Sequence, residues 1–203
     1  MKNIYVIFSS TDLRIGRMIR FVTKNEYNHC SVCVDEDMSK FYSFSRLYRS
    51  NPLIAGFTVE SPFRYTLSSR TRVKVISVPV SEKSYGAVIG VIEMMSRSPE
   101  NYVYNFISAA VYLFGRRFDR SNAFTCAEFT NDLMKTAGIS MPNRANIRQM
   151  ETALSEYPTW EGRAVDGFAE ETWGDDRYLD RIGKRRSAVQ IALRFKKMLA
   201  GHA

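Results

Sequence analysis

Histidine and cysteine are scarce in this sequence. Among 203 residues there are two histidines, His29 and His202, and three cysteines, Cys30, Cys33 and Cys126. An odd number of cysteines without a secretory leader argues against a disulfide framework and favours reduced thiols. Because His202 lies in a terminal tripeptide that is expected to fray, any histidine chemistry falls to His29.

Long hydrophobic runs are also missing. The N-terminal run from Met1 to Phe8 leads into two serines and lacks the longer apolar stretch and small-residue cleavage site of a signal peptide. The longest apolar segment, Tyr102 to Gly115, is interrupted by polar residues and is shorter than the roughly 20 residues that cross a bilayer. We therefore expect neither secretion nor a transmembrane helix, and the reduced cysteines favour a cytoplasmic protein.

A metal or redox centre is not predicted. Cys30 and Cys33 have the two-residue gap of a zinc or redox pair, but they lie in the alternating run His29 to Val34, and the sequence has no second ligand pair. This alternation favours a β-strand over a metal-binding loop. No cofactor is expected either.

Acidic residues are outnumbered, and the excess of positive charge is uneven. The formal net charge is +8 and the pI is near 9.5, which suits an anionic partner such as a membrane surface or nucleic acid. No acidic residue follows Lys184, while six basic residues lie between Lys184 and Lys197. A helix is predicted over Lys184 to Leu199, with one apolar face formed by Ala188, Ile191, Ala192, Phe195 and Leu199. Such a helix either packs on its own domain or contacts an anionic surface, and an obligate nucleic-acid partner is not expected.

The order of elements predicts an α+β fold with a small, mostly antiparallel sheet packed against helices. Strands are expected over Asn3–Phe8, His29–Val34, Phe41–Ser45, Phe57–Glu60 and Val73–Val80, with a further short one over Pro158–Val165. Helices are expected over Leu13–Lys24, from Ser81 to about Met95, and over Tyr102–Phe114, Phe124–Ala137 and Ile147–Tyr157. Residues 1–165 form the predicted catalytic domain, and residues 166–203 an acidic segment and the basic helix appended to it.

Two residues suit nucleophilic catalysis. Cys126 falls in the first turn of its predicted helix, where free N–H groups and the helix dipole lower a thiol pKa and can stabilise an oxyanion. His29 opens a strand, and its ordinary pKa near 6.5 suits a general base. Each residue alone is more often structural: a cysteine on an apolar helix face usually packs, and a histidine at a strand start usually satisfies local hydrogen bonds.

The two residues together, in this order, resemble a known family. The resemblance rests on five short stretches of sequence: Tyr27–Asp35, Phe41–Arg46, Gly56–Glu60, Tyr104–Asn105 and Phe124–Phe129. Together they are similar to the circularly permuted NlpC-type papain-like hydrolases, the YiiX-like group, in which the histidine strand precedes the cysteine helix. The resemblance covers roughly residues 3–140 and implies that Cys126 is the nucleophile and His29 its base. It also points to Tyr104 and Asn105 as substrate-binding residues, although a tyrosine and an asparagine opening a helix more often pack and cap.

The third member of a catalytic triad is left open by the sequence. Relatives often carry a serine after the cysteine, where this chain has Ala127. The window 14 to 16 residues beyond His29, where the orienting group is expected, holds Ser43 and Ser45 but no carboxylate or amide. Glu60 could hold the imidazole if its strand lies beside His29. Glu60, Ser45, and a backbone carbonyl or water remain the alternatives.

Two functional hypotheses follow. The first is a cysteine hydrolase or acyltransferase that cleaves an amide or ester of a peptide-like or lipid substrate through a thioester. The second is a non-catalytic papain-like binding module whose basic tail contacts an anionic membrane or nucleic acid. An activated Cys126, which would react with thiol reagents faster than Cys30 and Cys33, distinguishes the first from the second.

Overall fold

The computed structural model describes residues 1–10, 25–111, 118–168 and 176–200. Within these ranges it contains eight β-strands and seven α-helices, which confirms the α+β class. The strands are β1 Lys2–Ser9, β2 His29–Cys33, β3 Phe41–Tyr48, β4 Asn51–Glu60, β5 Arg72–Val80, β6 Val103–Tyr104, β7 Ala123–Phe124 and β8 Thr159–Arg163. The helices are α1 Phe63–Thr66, α2 Glu82–Arg97, α3 Phe106–Val111, α4 Cys126–Thr136, α5 Ile147–Ala153, α6 Ala164–Gly167 and α7 Lys184–Ala200. None of these described helices is long and apolar enough to cross a membrane.

All eight strands belong to one mixed sheet. Its order is β7-β6-β4-β3-β2-β1-β5-β8, and every neighbouring pair is antiparallel except β6 and β7, which are parallel. The sheet is thus mostly antiparallel, as predicted, but larger than the sequence indicated. The extra strands β6 and β7 have two residues each, too few for an alternating pattern to be visible.

Several predicted boundaries were wrong. The strand expected over Phe57–Glu60 is the end of the ten-residue β4. The helix expected from Tyr102 begins only at Phe106, because Val103 and Tyr104 pair in the sheet and the Asn105 N–H bonds to the Phe124 carbonyl. The helix predicted over residues 13–24 lies outside the described residues.

Helix α4 packs on one face of the sheet and carries the main core. Phe129 on α4 meets Phe44 of β3 and Phe57 of β4, with ring centroids 5.2 and 5.8 Å apart. These aromatic contacts hold α4 against the centre of the sheet. The helix ends before Gly138, whose φ of +82° is the left-handed conformation that glycine adopts at helix C-termini.

The C-terminal helix α7 also packs on the body, against β4 and β6. Its buried residues are Ser187, Arg194 and Met198, with Ile191 and Phe195 partly buried. Of the apolar face predicted from the sequence, Ala188, Ala192 and Leu199 are exposed instead. The helix is rotated from the expected orientation because the Arg194 guanidinium donates to the Ala55 carbonyl and Met198 packs with Val103 and Ala123. The inward face therefore includes a charged residue that a purely apolar pattern assigns to solvent.

A glycine in β4 permits the close approach of β6 and α7. A Cβ atom at Gly56 would lie 2.4 Å from the Tyr102 carbonyl oxygen and 2.6 Å from Arg194 Nη1. We expect Gly56→Ala to lower the free energy of unfolding by about 1–3 kcal/mol, because the backbone of Tyr102 must move. Thermal unfolding measures the change, and Gly86→Ala is the control, since its added Cβ meets open space in α2. Equal melting temperatures for the two variants would contradict the close approach of the Tyr102 carbonyl to Gly56.

Candidate functional site

The first turn of α4 places Cys126 in the lining of a cavity. Thr125 caps the helix: its side chain accepts from the Glu128 N–H, and the Glu128 carboxylate accepts from the Thr125 N–H. This capping box fixes where the helix begins, so that Cys126 is its first residue. The backbone N–H groups of Cys126 and Ala127 precede the first intrahelical bonds and lie at the positive end of the helix dipole. The local sequence thus builds an anion-stabilising environment around the thiol.

His29 opens β2 and pairs with a buried carboxylate. Its Nε2 lies 3.2 Å from Glu60 Oε2, and the two side chains are 13% and 1% exposed. Glu60 lies at the end of β4, which is not adjacent to β2, because β3 runs between them. Its side chain reaches across β3 to the histidine. The structure therefore brings Glu60 to His29. This contact depends on the order of the strands in the sheet, which the sequence could not specify.

Glu60 is held by five side chains. Oε1 accepts hydrogen bonds from Ser43 Oγ at 2.8 Å, Ser45 Oγ at 2.5 Å and Arg64 Nη1 at 2.8 Å. Oε2 accepts from the Tyr65 hydroxyl and faces His29. Ser45, the alternative third member, thus contacts the carboxylate that contacts the histidine. A carboxylate with so many donors is rigid and remains ionised despite its burial.

The pKa shifts of the histidine and the thiol oppose each other. Burial lowers the pKa of His29, but the charge of Glu60 and hydrogen bonding with Cys126 outweigh it and raise the pKa to about 10. The pKa of Cys126 lies well below its ordinary value because the Cys30 thiol donates a hydrogen bond to it and because His29 adds a hydrogen bond and positive charge, which together outweigh burial. The two opposed shifts favour transfer of the thiol proton to the imidazole, which gives the activated form of a cysteine nucleophile.

Cys30 lies next to His29 on β2 and is fully buried. Burial and its hydrogen bond to Cys126 raise its pKa well above the ordinary value, so it remains a thiol and a donor. Cys33, the other half of the Cys-x-x-Cys pair, packs with Phe41 and Tyr65 in a separate cluster, and its Sγ donates to the Asp35 carbonyl at 3.2 Å. The two cysteines therefore have different environments, and only Cys30 acts on the candidate nucleophile.

The donor role of Cys30 predicts a pH effect. In the wild type we expect the alkylation rate of Cys126 by iodoacetamide to stay high at neutral pH and to fall only when acid protonates the thiolate. Cys30→Ala removes the donor, so the apparent pKa of Cys126 should rise and the reactivity at neutral pH should fall. Cys30→Ser keeps a donor and is the matched control. Superimposable rate-pH profiles for the wild type and Cys30→Ala would contradict this role.

Two residues that the sequence analysis did not identify, Arg64 and Asp176, hold the Glu60 carboxylate in place. Arg64 donates to Glu60 and also forms a bidentate pair with Asp176, with Nε at 2.9 Å from Oδ2 and Nη2 at 2.8 Å from Oδ1. Asp176 further accepts from the N–H groups of Ser61 and Tyr178. The spacing of Glu60 and Arg64 gave no usable signal, because Glu60 ends a strand and i,i+4 pairing applies within a helix. The pairing with a residue 112 positions away carried none.

The two residues proposed to bind substrate are placed differently. Tyr104 lines the cavity beside Cys126, and burial, followed by the charge of Cys126, raises the pKa of its hydroxyl well above the ordinary value. Asn105 is 1% exposed and does not line the cavity. Its Nδ2 donates to the carbonyls of Phe118 and Ala123, and its Oδ1 accepts from the Ser108 N–H at the start of α3. Asn105 therefore connects the chain segments around the site.

A cavity of about 540 Å³ opens beside the cysteine and histidine. Most of its lining surface is apolar, but three arginines, Arg46, Arg49 and Arg64, also line it. The apolar lining residues are Phe44, Pro52, Leu53, Ala55, Leu67, Tyr104, Phe106 and Ala109. A cavity of this size and lining is typical of sites for small molecules or for one apolar group of a larger substrate.

Comparison of the chain with family models, with curated proteins and with solved structures gives no match. Within the described ranges, no group of three or more histidine, cysteine, aspartate or glutamate side chains is placed to hold a metal ion.

Proposed function

We propose that this protein is a papain-like cysteine hydrolase or acyltransferase of the permuted type, acting on an ester or amide through a thioester intermediate. One observation carries the proposal. Cys126, at the start of α4, lies in the same site as the buried pair of His29 and Glu60. A thiolate and an imidazolium held by an ionised carboxylate are the groups that this reaction requires. The resemblance in the ordered motifs around these residues supports the same assignment.

The reaction assigned to the site has two steps. In the first, the Cys126 thiolate attacks the carbonyl carbon, and the oxyanion is stabilised by the N–H groups that open α4 and by the Tyr104 hydroxyl. The His29 imidazolium then protonates the leaving amine or alcohol, and a thioester to Cys126 remains. In the second step, neutral His29 removes a proton from water or an acceptor alcohol, which attacks the thioester and restores the thiolate. Glu60 stabilises the imidazolium throughout.

The cavity favours a substrate with an apolar acyl group over a short polar one. We expect kcat/KM for p-nitrophenyl esters to rise from acetate to octanoate, by up to about fourfold per methylene group that enters the cavity. Leu53→Asp places a charge at the cavity and should reduce this preference without changing acetate hydrolysis. Val59→Asp is the matched control, because Val59 lies on the same strand, is equally exposed at 43%, and does not line the cavity.

The proposed intermediate gives the direct test of function. Mass spectrometry of protein quenched during turnover of p-nitrophenyl octanoate should find an octanoyl group on Cys126. A peptide anilide that is cleaved while all esters remain intact would assign the site to peptide-like amides instead. If no acyl group forms on Cys126 from esters, thioesters or amides, the binding-module hypothesis replaces the hydrolase.

A further inference from the structure

The cavity of the candidate site contains more positive charge than the proposed reaction uses. Of the three arginines that line it, Arg64 is neutralised, because it donates to the carboxylates of both Glu60 and Asp176. None of the carboxylates in the described ranges forms an ion pair with the other two, Arg46 and Arg49. Two positive charges therefore line a mostly apolar cavity without a counter-ion from the described part of the chain.

One tyrosine holds both of these arginines at the end of the β3–β4 hairpin. The Tyr178 hydroxyl accepts from Arg46 Nη2 at 3.1 Å, and the Tyr178 carbonyl accepts from the Arg49 N–H at 2.8 Å. Tyr178 is buried and lines the same cavity. Arg46 is partly buried and Arg49 is exposed, so neither is sealed from a ligand that enters the cavity.

Most hydrogen-bond donors of the two side chains are unused within the described residues. A guanidinium has several N–H donors, yet Arg46 donates only to the Tyr178 hydroxyl and the Arg49 side chain donates to no described residue. Guanidinium groups match carboxylate and phosphate oxygens, which they bind through paired, charge-assisted hydrogen bonds. The cavity thus presents cationic donors for an oxyanion next to an apolar surface.

We propose that the substrate is an anionic amphiphile, an ester or amide that carries an apolar chain together with a carboxylate or phosphate, and that Arg46 and Arg49 bind its anionic group. This inference rests on the proposed hydrolase function and adds the charge of the substrate to it. Leu53 and Phe106 belong to the apolar lining that receives the chain. The two arginines determine specificity and take no part in the bond-making steps.

The turnover test compares esters of equal chain length that differ in charge. The mono-p-nitrophenyl ester of octanedioic acid carries a carboxylate on the acyl side, and p-nitrophenyl octanoate is its neutral match. Octanoyl glycerol phosphate carries a phosphate on the leaving group, and octanoyl glycerol is its neutral match. We expect kcat/KM to be about tenfold higher for the anionic member of at least one pair, since hydrogen bonds to charged groups are the stronger ones. The preferred pair identifies the anionic group and its side of the scissile bond.

Substitutions test whether the two arginines cause this preference. Arg46→Met and Arg49→Met should each reduce the ratio of the two kcat/KM values at least about threefold, whereas Arg46→Lys keeps the charge and most of the ratio. Arg148→Met is the matched control, because Arg148 is exposed on α5 and does not line the cavity. The same loss in Arg148→Met, or no preference for either anionic ester, would overturn the proposal.

Binding without turnover separates the substrate class from the reaction. Octyl phosphate has the chain and the anion but no acyl group, and octanol is its neutral match. Titration calorimetry of the full chain should give a dissociation constant about tenfold lower for octyl phosphate, a preference that weakens in high salt and in Arg49→Met.

The two proposals can fail separately. If an acyl group forms on Cys126 while neither octyl phosphate nor an anionic ester is preferred, the charge assignment is wrong and the hydrolase stands. If octyl phosphate binds through Arg46 and Arg49 but no acyl group forms on Cys126, the anion site stands and the hydrolase is wrong.

Discussion

Cys126→Ala and His29→Ala are each expected to reduce ester hydrolysis at least about 10³-fold, with little change in melting temperature. The expected loss is large because, in the proposed mechanism, the thiolate is the nucleophile and the imidazole transfers the proton in both steps. The fold should survive, because Glu60 keeps its bonds to Arg64, Tyr65 and two serines when His29 is removed. Initial rates on p-nitrophenyl octanoate, together with thermal unfolding, measure both effects.

The same assay includes a control and a test of cooperation. Cys33→Ser changes a cysteine in a separate cluster and should retain turnover. The double variant Cys126→Ala with His29→Ala should be no slower than either single variant, because the two residues act as a unit. Full activity in Cys126→Ser would refute the proposed mechanism.

Asp176→Ala is expected to cause the largest loss of stability among the substitutions proposed. It leaves the guanidinium of Arg64, which is 10% exposed, without its bidentate partner. Breaking a buried pair in this way costs about 3–5 kcal/mol, which lowers the melting temperature of a chain of this size by about 6–20 °C. Thermal unfolding at low and high salt measures the loss.

The chain provides a matched control for this substitution. Asp166 forms the same bidentate pair with Arg163, but the two side chains are 50% and 60% exposed. Because water screens that pair, Asp166→Ala should leave the melting temperature nearly unchanged. Equal destabilisation by the two substitutions would contradict the importance that we assign to the buried pair.

Much of the site could be predicted from local sequence, since its signals are short. The helical spacing of Phe129 and Leu133 placed Cys126 in the first turn of a helix, and the alternation after His29 placed that residue at the start of a strand. The structure adds that Thr125 caps this helix, which was predicted to begin at Phe124. The contact of Glu60 with His29 was one of three alternatives, because strand order decides it.

The remaining contacts depend on long-range packing. The pairing of Arg64 with Asp176 joins positions 112 residues apart, and no local pattern signals it. The orientation of α7 was mispredicted for a related reason: an arginine with an internal carbonyl acceptor turns inward, and the sequence does not reveal that acceptor. The short strands β6 and β7 form because their backbone groups pair with neighbouring strands, whereas the sequence predicted a helix over Val103, Tyr104 and Phe124.

The pairing of Asp176 with Arg64, which in turn holds Glu60, also affects the order in which the site forms during synthesis. His29, Glu60 and Cys126 are synthesised before Asp176. A nascent chain can therefore collapse around Arg64 while this arginine still lacks its final partner. The support behind Glu60 is therefore completed only after most of the chain has been synthesised.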